Sequence, residues 1–263
     1  MNSDYWHRQT DKPLFPELEW SRPETRTQAG KLVIIGGTKH GFAVPAQAYA
    51  AALRAGAGSV RVVLPESLRR SIAKLFPEAD FAPSTASGSF ARTSLNELLG
   101  AARWADGVLF PGDLSRNSET SVLLESFLEK FQGAVTLTKD TADLVCEQPH
   151  TVLHRPETLL VLAMGQLQKL GSEARFPRAF TSGMGLVALA DNLHEFTKRF
   201  APYIVVRQHD QLVVAVGGQI STTKLMHAKP VWRLQVATAA STWWLQNPSK
   251  PFPALTTAVW TQK

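Results

Sequence analysis

The chain has 263 residues, 44% of them hydrophobic and 19% charged, a composition that supplies one sizeable core and excludes wholesale disorder. Lysine and arginine outnumber aspartate and glutamate by 28 to 22, a net charge of +6, yet the basic residues fall in pairs such as Arg69 with Arg70 and Lys198 with Arg199, so no tract for specific nucleic-acid binding is present. The single cysteine, Cys146, excludes an internal disulfide and a multi-cysteine zinc site; with no visible signal peptide and no bilayer-length apolar run, a cytoplasmic protein without a membrane partner is expected.

Residues 1–30 are polar and proline-bearing, with Tyr5, Trp6, Phe15 and Trp20 at irregular spacing. They read as an N-terminal arm that packs on the domain or on a neighbour, where it would serve a homo-oligomer. Residues 31–263 are expected to form one domain, opening on KLVIIGGTKHGFAVPAQAYAAALRAGAGSVRVVLP. Residues 32–35 are an unbroken apolar run, as in a parallel strand covered on both faces, and Gly36 with Gly37 ends it. Pro45 stands where a first helical residue would, and Gly56 where a left-handed residue closes the helix. The small side chains of Ala46, Ala48, Ala50, Ala51, Ala52 and Ala55 let that helix lie close against a sheet. Residues 59–64 read as the next strand of a right-handed βαβ unit. Residues 36–42 then form a loop at the carboxyl end of a parallel strand, beside a helix N-terminus that accepts anions. Gly36, Gly37, Thr38, Lys39, Val44 and Pro45 are the candidate ligand-binding residues there; a turn that merely connects is the alternative. GGTKHG is neither GxGxxG nor a Walker loop, and no acid closes the second strand, which disfavours a dinucleotide-binding Rossmann unit.

The block GKLVIIGGTKHGFAVPAQAYAAALRAGAGSVRVVLPES closely resembles the amino-terminal signature of the ADP/ATP-dependent NAD(P)H-hydrate dehydratases, also called the YjeF carboxy-terminal or carbohydrate-kinase-like family. The correspondence is specific over residues 30–67 and weaker through most of the rest. The resemblance implies a three-layer α/β ribokinase-like fold, with a mainly parallel central sheet, helices on both faces and a late antiparallel hairpin. It also implies repair of hydrated NADH or NADPH, in which ATP or ADP with magnesium phosphorylates the substrate hydroxyl and elimination restores the dinucleotide.

Further along, residues 66–75 look helical, residues 76–89 irregular, and residues 93–102 helical with Ser94 as a possible cap. Residues 107–110 read as a buried strand. Where the family has GPGLG after it, this chain has Phe110, Pro111, Gly112, Asp113 and Leu114, so Gly112 and Asp113 join the candidate binding residues. Residues 118–132 form an amphipathic helix that Gly133 would stop, and residues 134–138 continue the sheet. The family's DAD-type turn is here Thr138, Lys139 and Asp140; Asp140 is either a functional remnant or the cap of a helix over residues 141–146. The strand at residues 158–162 meets Ala163, Met164, Gly165 and Gln166 in place of TPHPGE. After a helix over residues 185–200, with His194 as a surface or satisfied core residue, strands 203–207 and 212–216 form a hairpin turned at His209 and Asp210. The family's KGAGT, which receives nucleotide phosphates, is replaced by Arg207, Gln208, His209, Asp210 and Gln211.

The family's GGTGD motif combines consecutive glycine N–H groups at a helix N-terminus with an aspartate base. The stretch here reads HAKPVWRLQVATAA, with Leu234 or Gln235 in the aspartate's place and no glycine anywhere after Gly218. Lys224, Lys229 and Arg233 could still hold an anion through their side chains. Three readings follow. In the first, the protein descends from the family with a degenerate phosphate site and is non-catalytic, keeping a pocket for a nucleotide or dinucleotide between residues 36–45 and 111–113. In the second it is an active dehydratase or small-molecule kinase with a relocated base, Asp113, Asp140 or Asp210, and with Lys39 or Arg207 supplying charge. In the third it is an interaction protein whose contact surface uses Trp232, Trp243, Trp244, Trp260 and the arm. No side chains are singled out as metal ligands.

Overall fold

The computed structural model describes residues 4–226 and 231–262. Ten strands form one sheet: β1 (Trp6–Gln9), β2 (Lys31–Ile35), β3 (Ser59–Pro65), β4 (Ala79–Ala82), β5 (Gly107–Phe110), β6 (Ala134–Thr138), β7 (Thr158–Leu162), β8 (Tyr203–Gln208), β9 (Gln211–Val216) and β10 (Gln219–Lys224). Their spatial order is β1-β10-β9-β8-β7-β6-β5-β2-β3-β4. Among these ten, β9 alone runs against the rest, because it pairs antiparallel with both β8 and β10. The expected hairpin is therefore present and continues into a third strand, β10, whose consecutive polar residues Ser221, Thr222 and Thr223 hide it from a hydrophobicity reading.

Alternate residues of each strand feed two cores, as the pleat requires. Val33, Ile35, Val108, Phe110, Val135, Leu137, Leu160 and Leu162 face one helical layer, built from Leu95–Trp104, Ser118–Lys130, Lys139–Glu147, Met164–Glu173 and Leu186–Arg199. Leu32, Ile34, Leu109, Leu159 and Val161 face the other, built from Ala43–Ala55, Trp232–Gln246 and Pro251–Trp260. This is the expected three-layer arrangement.

Several local expectations are corrected. The helix after β2 starts at Ala43, so Pro45 is its third residue, a position whose N–H has no intrahelical partner either. Gly56 closes it in the left-handed conformation, φ 94°, as expected. The 76–89 segment holds a strand, β4, which pairs parallel with β3. Helical backbone after β3 ends at Ile72 instead of residue 75. Ser94 offers no cap to a backbone N–H; its hydroxyl donates to the Ala91 carbonyl at 2.6 Å. The helix expected over 118–132 is capped by Asn117 and ends at Lys130, followed by extended Phe131, so Gly133 is not its stop. Residues 6–9 of the arm enter the sheet as β1, paired parallel with β10. Trp243 and Trp244 are buried in the core and offer no contact surface.

Candidate functional site

From β2 the chain winds outward to β3 and β4, then returns to β5 on the other side of β2 and winds away through β6, β7 and β8. The loops after β2 and β5 thus leave the sheet in opposite directions, and the crevice between them is the topological switch point where open α/β sheets bind ligands.

Glycine permits the two loops to touch. A Cβ on Gly36 would stand 2.7 Å from the Gly112 carbonyl oxygen and 3.2 Å from the Pro45 ring, so a side chain there would drive the loops apart. Gly112, at φ 115°, would place a Cβ 2.6 Å from the Asp140 carboxylate. The tip of the first loop is a tight turn in which Thr38 and Gly41 exchange backbone bonds of 3.0 and 2.9 Å. Lys39 N–H donates to the Gly88 carbonyl at 2.8 Å, and the Lys39 stem lies against Gly88, where a Cβ would come within 2.4 Å of it.

Asp140 ties the second loop to the third. One carboxylate oxygen accepts the Asp113 N–H at 2.8 Å and the other the Leu114 N–H at 2.9 Å. It therefore does not cap its own helix. That helix spans Lys139–Glu147, and its cap is Thr138, paired reciprocally with Thr141. Asp140 is the second residue inside that helix, past the capping position, and both of its carboxylate oxygens are turned to the other loop. Asp113 is half-buried, at φ 59°, and its carboxylate accepts the Val44 N–H at the start of the 43–55 helix. Burial pushes the Asp113 carboxyl above the ordinary aspartate range; the Lys139 charge and the Val44 N–H oppose that shift, and Asp140 adds to it. Three non-glycine residues near the crevice, Asp113, Ser115 and Lys139, have positive φ, backbone strain of the kind that collects at functional sites.

Gln166, the polar residue left after β7, is buried and uses both ends of its amide. Its Nε2 donates to the Lys139 carbonyl at 2.7 Å and to Asp143 at 2.6 Å; its Oε1 accepts from Ala163 N–H at 2.9 Å and from Arg233 at 3.1 Å. Asp143 also pairs with Arg116. This chain of contacts connects the loops after β5, β6 and β7 to the first turn of the 232–246 helix. Sequence reading missed Arg116, Asp143 and Arg233 as members of it. The one local signal was Gln166 three residues after Ala163, the spacing at which a glutamine reaches back to a helix N-terminus.

The structure gathers Gly36, Gly37, Thr38, Lys39, Val44, Pro45, Gly112, Asp113 and Asp140 at the switch point. Arg207 and Asp210 lie elsewhere, at the end of β8, three strand spacings or about 14 Å from β5. There Arg207 donates to the His209 carbonyl at 2.7 Å and Asp210 pairs with Lys224 at 3.8 Å, so both shape the β8–β9 turn. Lys229 lies outside the described residues. Of the two residues set against the family's base, Leu234 is 4% exposed and packs in the core, and Gln235 is partly exposed. Cys146 is buried, and that burial pushes its thiol up to about 12, so it is no nucleophile.

No protein-family model matches the chain. Over 92 residues it is 38% identical to the bifunctional NAD(P)H-hydrate repair enzyme Nnr of Methanothermobacter thermautotrophicus, a match that spans 35% of this chain and 18% of that relative. A solved ribokinase-like superfamily protein of Enterococcus faecalis V583 superposes with a TM-score of 0.75 at 15% identity, covering 100% of this chain and 87% of the other. The ADP/ATP-dependent NAD(P)H-hydrate dehydratase of Bacillus subtilis, co-crystallised with ATP and magnesium, superposes with a TM-score of 0.66 at 14% identity, over 97% of this chain and 88% of that one. With nine co-directional strands, one reversed strand and a helical layer on each face, the chain has the ribokinase-like fold.

Proposed function

We propose that this protein is a relative of the NAD(P)H-hydrate dehydratases that retains a ligand-binding crevice at the switch point and has lost phosphoryl transfer. The observation that carries the reading is the start of the 232–246 helix. Its first turn holds no acid, Leu234 is turned into the core, and Arg233 is drawn to Gln166 instead of into open space. A phosphate-handling centre needs donors aimed at developing charge and a base beside the nucleophile. A nucleotide with magnesium, which the resemblance brings, finds neither an acidic ligand nor a glycine amide in the described part of that turn. Removing one such donor typically costs a factor of about 100 to 1,000 in rate, and removing the base as well makes turnover implausible.

On this reading a nucleotide or dinucleotide would sit in the crevice between residues 36–45 and 111–113. The test is to incubate the purified protein with hydrated NADH, ATP or ADP and magnesium while following the nicotinamide absorbance. No recovery above the uncatalysed rate is expected. A second reading is favoured by one specific feature, the raised carboxyl of Asp113, which suits a general base better than an ordinary aspartate does. Turnover that Asp113→Asn abolishes would establish that reading in place of the first.

A further inference from the structure

Apart from the switch point, the helical layer formed by Ala43–Ala55, Trp232–Gln246 and Pro251–Trp260 carries a cavity of about 360 Å3 on its outer side. It is lined by Gln235 and Trp243, two turns apart on one helix, by Arg54 and Ala55 at the end of another, by Arg22 from the arm and by Gln262 just past the last helix. Two guanidinium groups therefore line it, and among the described residues no aspartate or glutamate does. Neither Arg22 nor Arg54 has a carboxylate partner among the described residues.

Arg22 is held in place before any ligand arrives. Its guanidinium lies 4.4 Å from the centre of the Trp243 ring, and one N–H donates to the Ala55 carbonyl at 3.1 Å. That carbonyl is one of the acceptors left over at the end of the 43–55 helix, which explains one of the five guanidinium N–H groups and leaves the others. A planar fork fixed by stacking and one hydrogen bond loses little freedom on meeting a phosphate or carboxylate. Arg54 adds a second positively charged side chain to the lining, and the Gln235 and Gln262 amides supply both donors and acceptors. The volume lies at the small end of ligand pockets, which run from about 300 to 1,000 Å3.

We infer that this cavity is a binding site for a small phosphomonoester of sugar-phosphate to mononucleotide size, separate from the switch-point crevice. The arm is then a functional part of the molecule, because it delivers one of the two cations that would hold the phosphate.

The experiment is calorimetric titration of the full chain with AMP, ribose 5-phosphate and adenosine at low salt. AMP and ribose 5-phosphate are expected to saturate with dissociation constants below about 1 mM, adenosine is not, and affinity should fall as salt rises. Arg54→Gln should weaken AMP by about 10-fold or more, the loss expected for one charge-assisted contact. Arg22→Gln should do the same, and because Arg22 also stacks and caps, Arg54→Gln keeps the test independent of folding. Gly36→Val, whose side chain would part the switch-point loops and so disrupt that crevice, should leave AMP binding at the cavity unchanged. The proposal is overturned if neither phosphate ester saturates, if adenosine binds as well as AMP, or if Arg54→Gln is without effect. Binding lost in Gly36→Val but kept in Arg54→Gln would place the ligand at the switch point, refuting the second site while leaving the proposed crevice intact.

Discussion

Asp113 shows what a carboxylate costs when it is held between two loops. Burial raises its folded-state pKa above the unfolded value, so the folded protein binds this proton more tightly than the unfolded chain does. Stability from this group is therefore fully present below the ordinary aspartate pKa of about 3.9 and declines as pH rises from there through the higher folded-state value. Asparagine tolerates the φ of 59° and can accept from Val44 N–H without a charge. Asp113→Asn is expected to raise the urea midpoint at neutral pH and to leave it unchanged near pH 3; an equal effect at both would refute a burial penalty. Arg155 is the opposite case, a buried cation with no carboxylate in salt-bridge reach among the described residues. Its guanidinium donates to the carbonyls of Leu128, Phe131, Gly133, Pro156 and Glu157 and to the Thr158 hydroxyl, at 2.6 to 3.2 Å. Burial lowers its pKa only to about 10, so it stays charged at neutral pH. Leu128 and Phe131 lie at the end of the 118–130 helix, where carbonyls have no intrahelical partner. Arg155→Ala should cost about 3 kcal/mol in urea unfolding, and Arg155→Lys most of that, since an ammonium has three donors where six bonds are made.

Among the elements, β1 is where residues distant in the chain have the largest structural effect. Residues 6–9 pair with 220–223, covering an edge of β10 that would otherwise present a row of unpaired amides. Gln9 fixes the attachment: its Nε2 donates to the Thr223 hydroxyl at 2.7 Å and to the Thr256 carbonyl at 2.9 Å, joining sheet and helix. Just before the strand, Tyr5 stacks on His194 at 3.7 Å and its hydroxyl donates to Asp191 at 2.5 Å. Deleting residues 1–12 should lower the melting temperature by about 5 °C or more and raise the exchange rate of the 220–223 amides, with the 32–35 amides unaffected. A melting temperature unchanged by the deletion would mean that β1 adds no stability to the sheet. The 232–246 helix is the complementary case, buried nearly all round between the sheet and the outer helices. Small residues allow this, and the buried hydroxyls of Thr238, Ser241 and Thr242 donate to carbonyls one turn back, Ser241 also meeting the Thr136 hydroxyl of the sheet at 2.8 Å. A helix covered on nearly every side has no polar face, so its periodicity is weak.

Across the whole molecule, what could be read from the chain alone followed one rule: contacts close in sequence leave local signs. The short apolar runs of β2, β3, β5, β6 and β7 and the Gly56 stop each carry their own signature, enough for a βαβ unit with residues 36–42 at a strand's carboxyl end, while the ribokinase-like fold was implied by the resemblance over residues 30–67. What the tertiary structure decided lay between segments. That Asp140 serves the β5 loop and not its own helix, that Arg207 and Asp210 stand three strands away from the switch point, and that Arg22 shares a cavity with Arg54 and Gln262 all depend on which loops the sheet order brings together. Hydrophobic periodicity and turn residues report how a segment folds, because their free energies are local; the meeting of side chains far apart in the chain is set by strand order, which no single segment encodes.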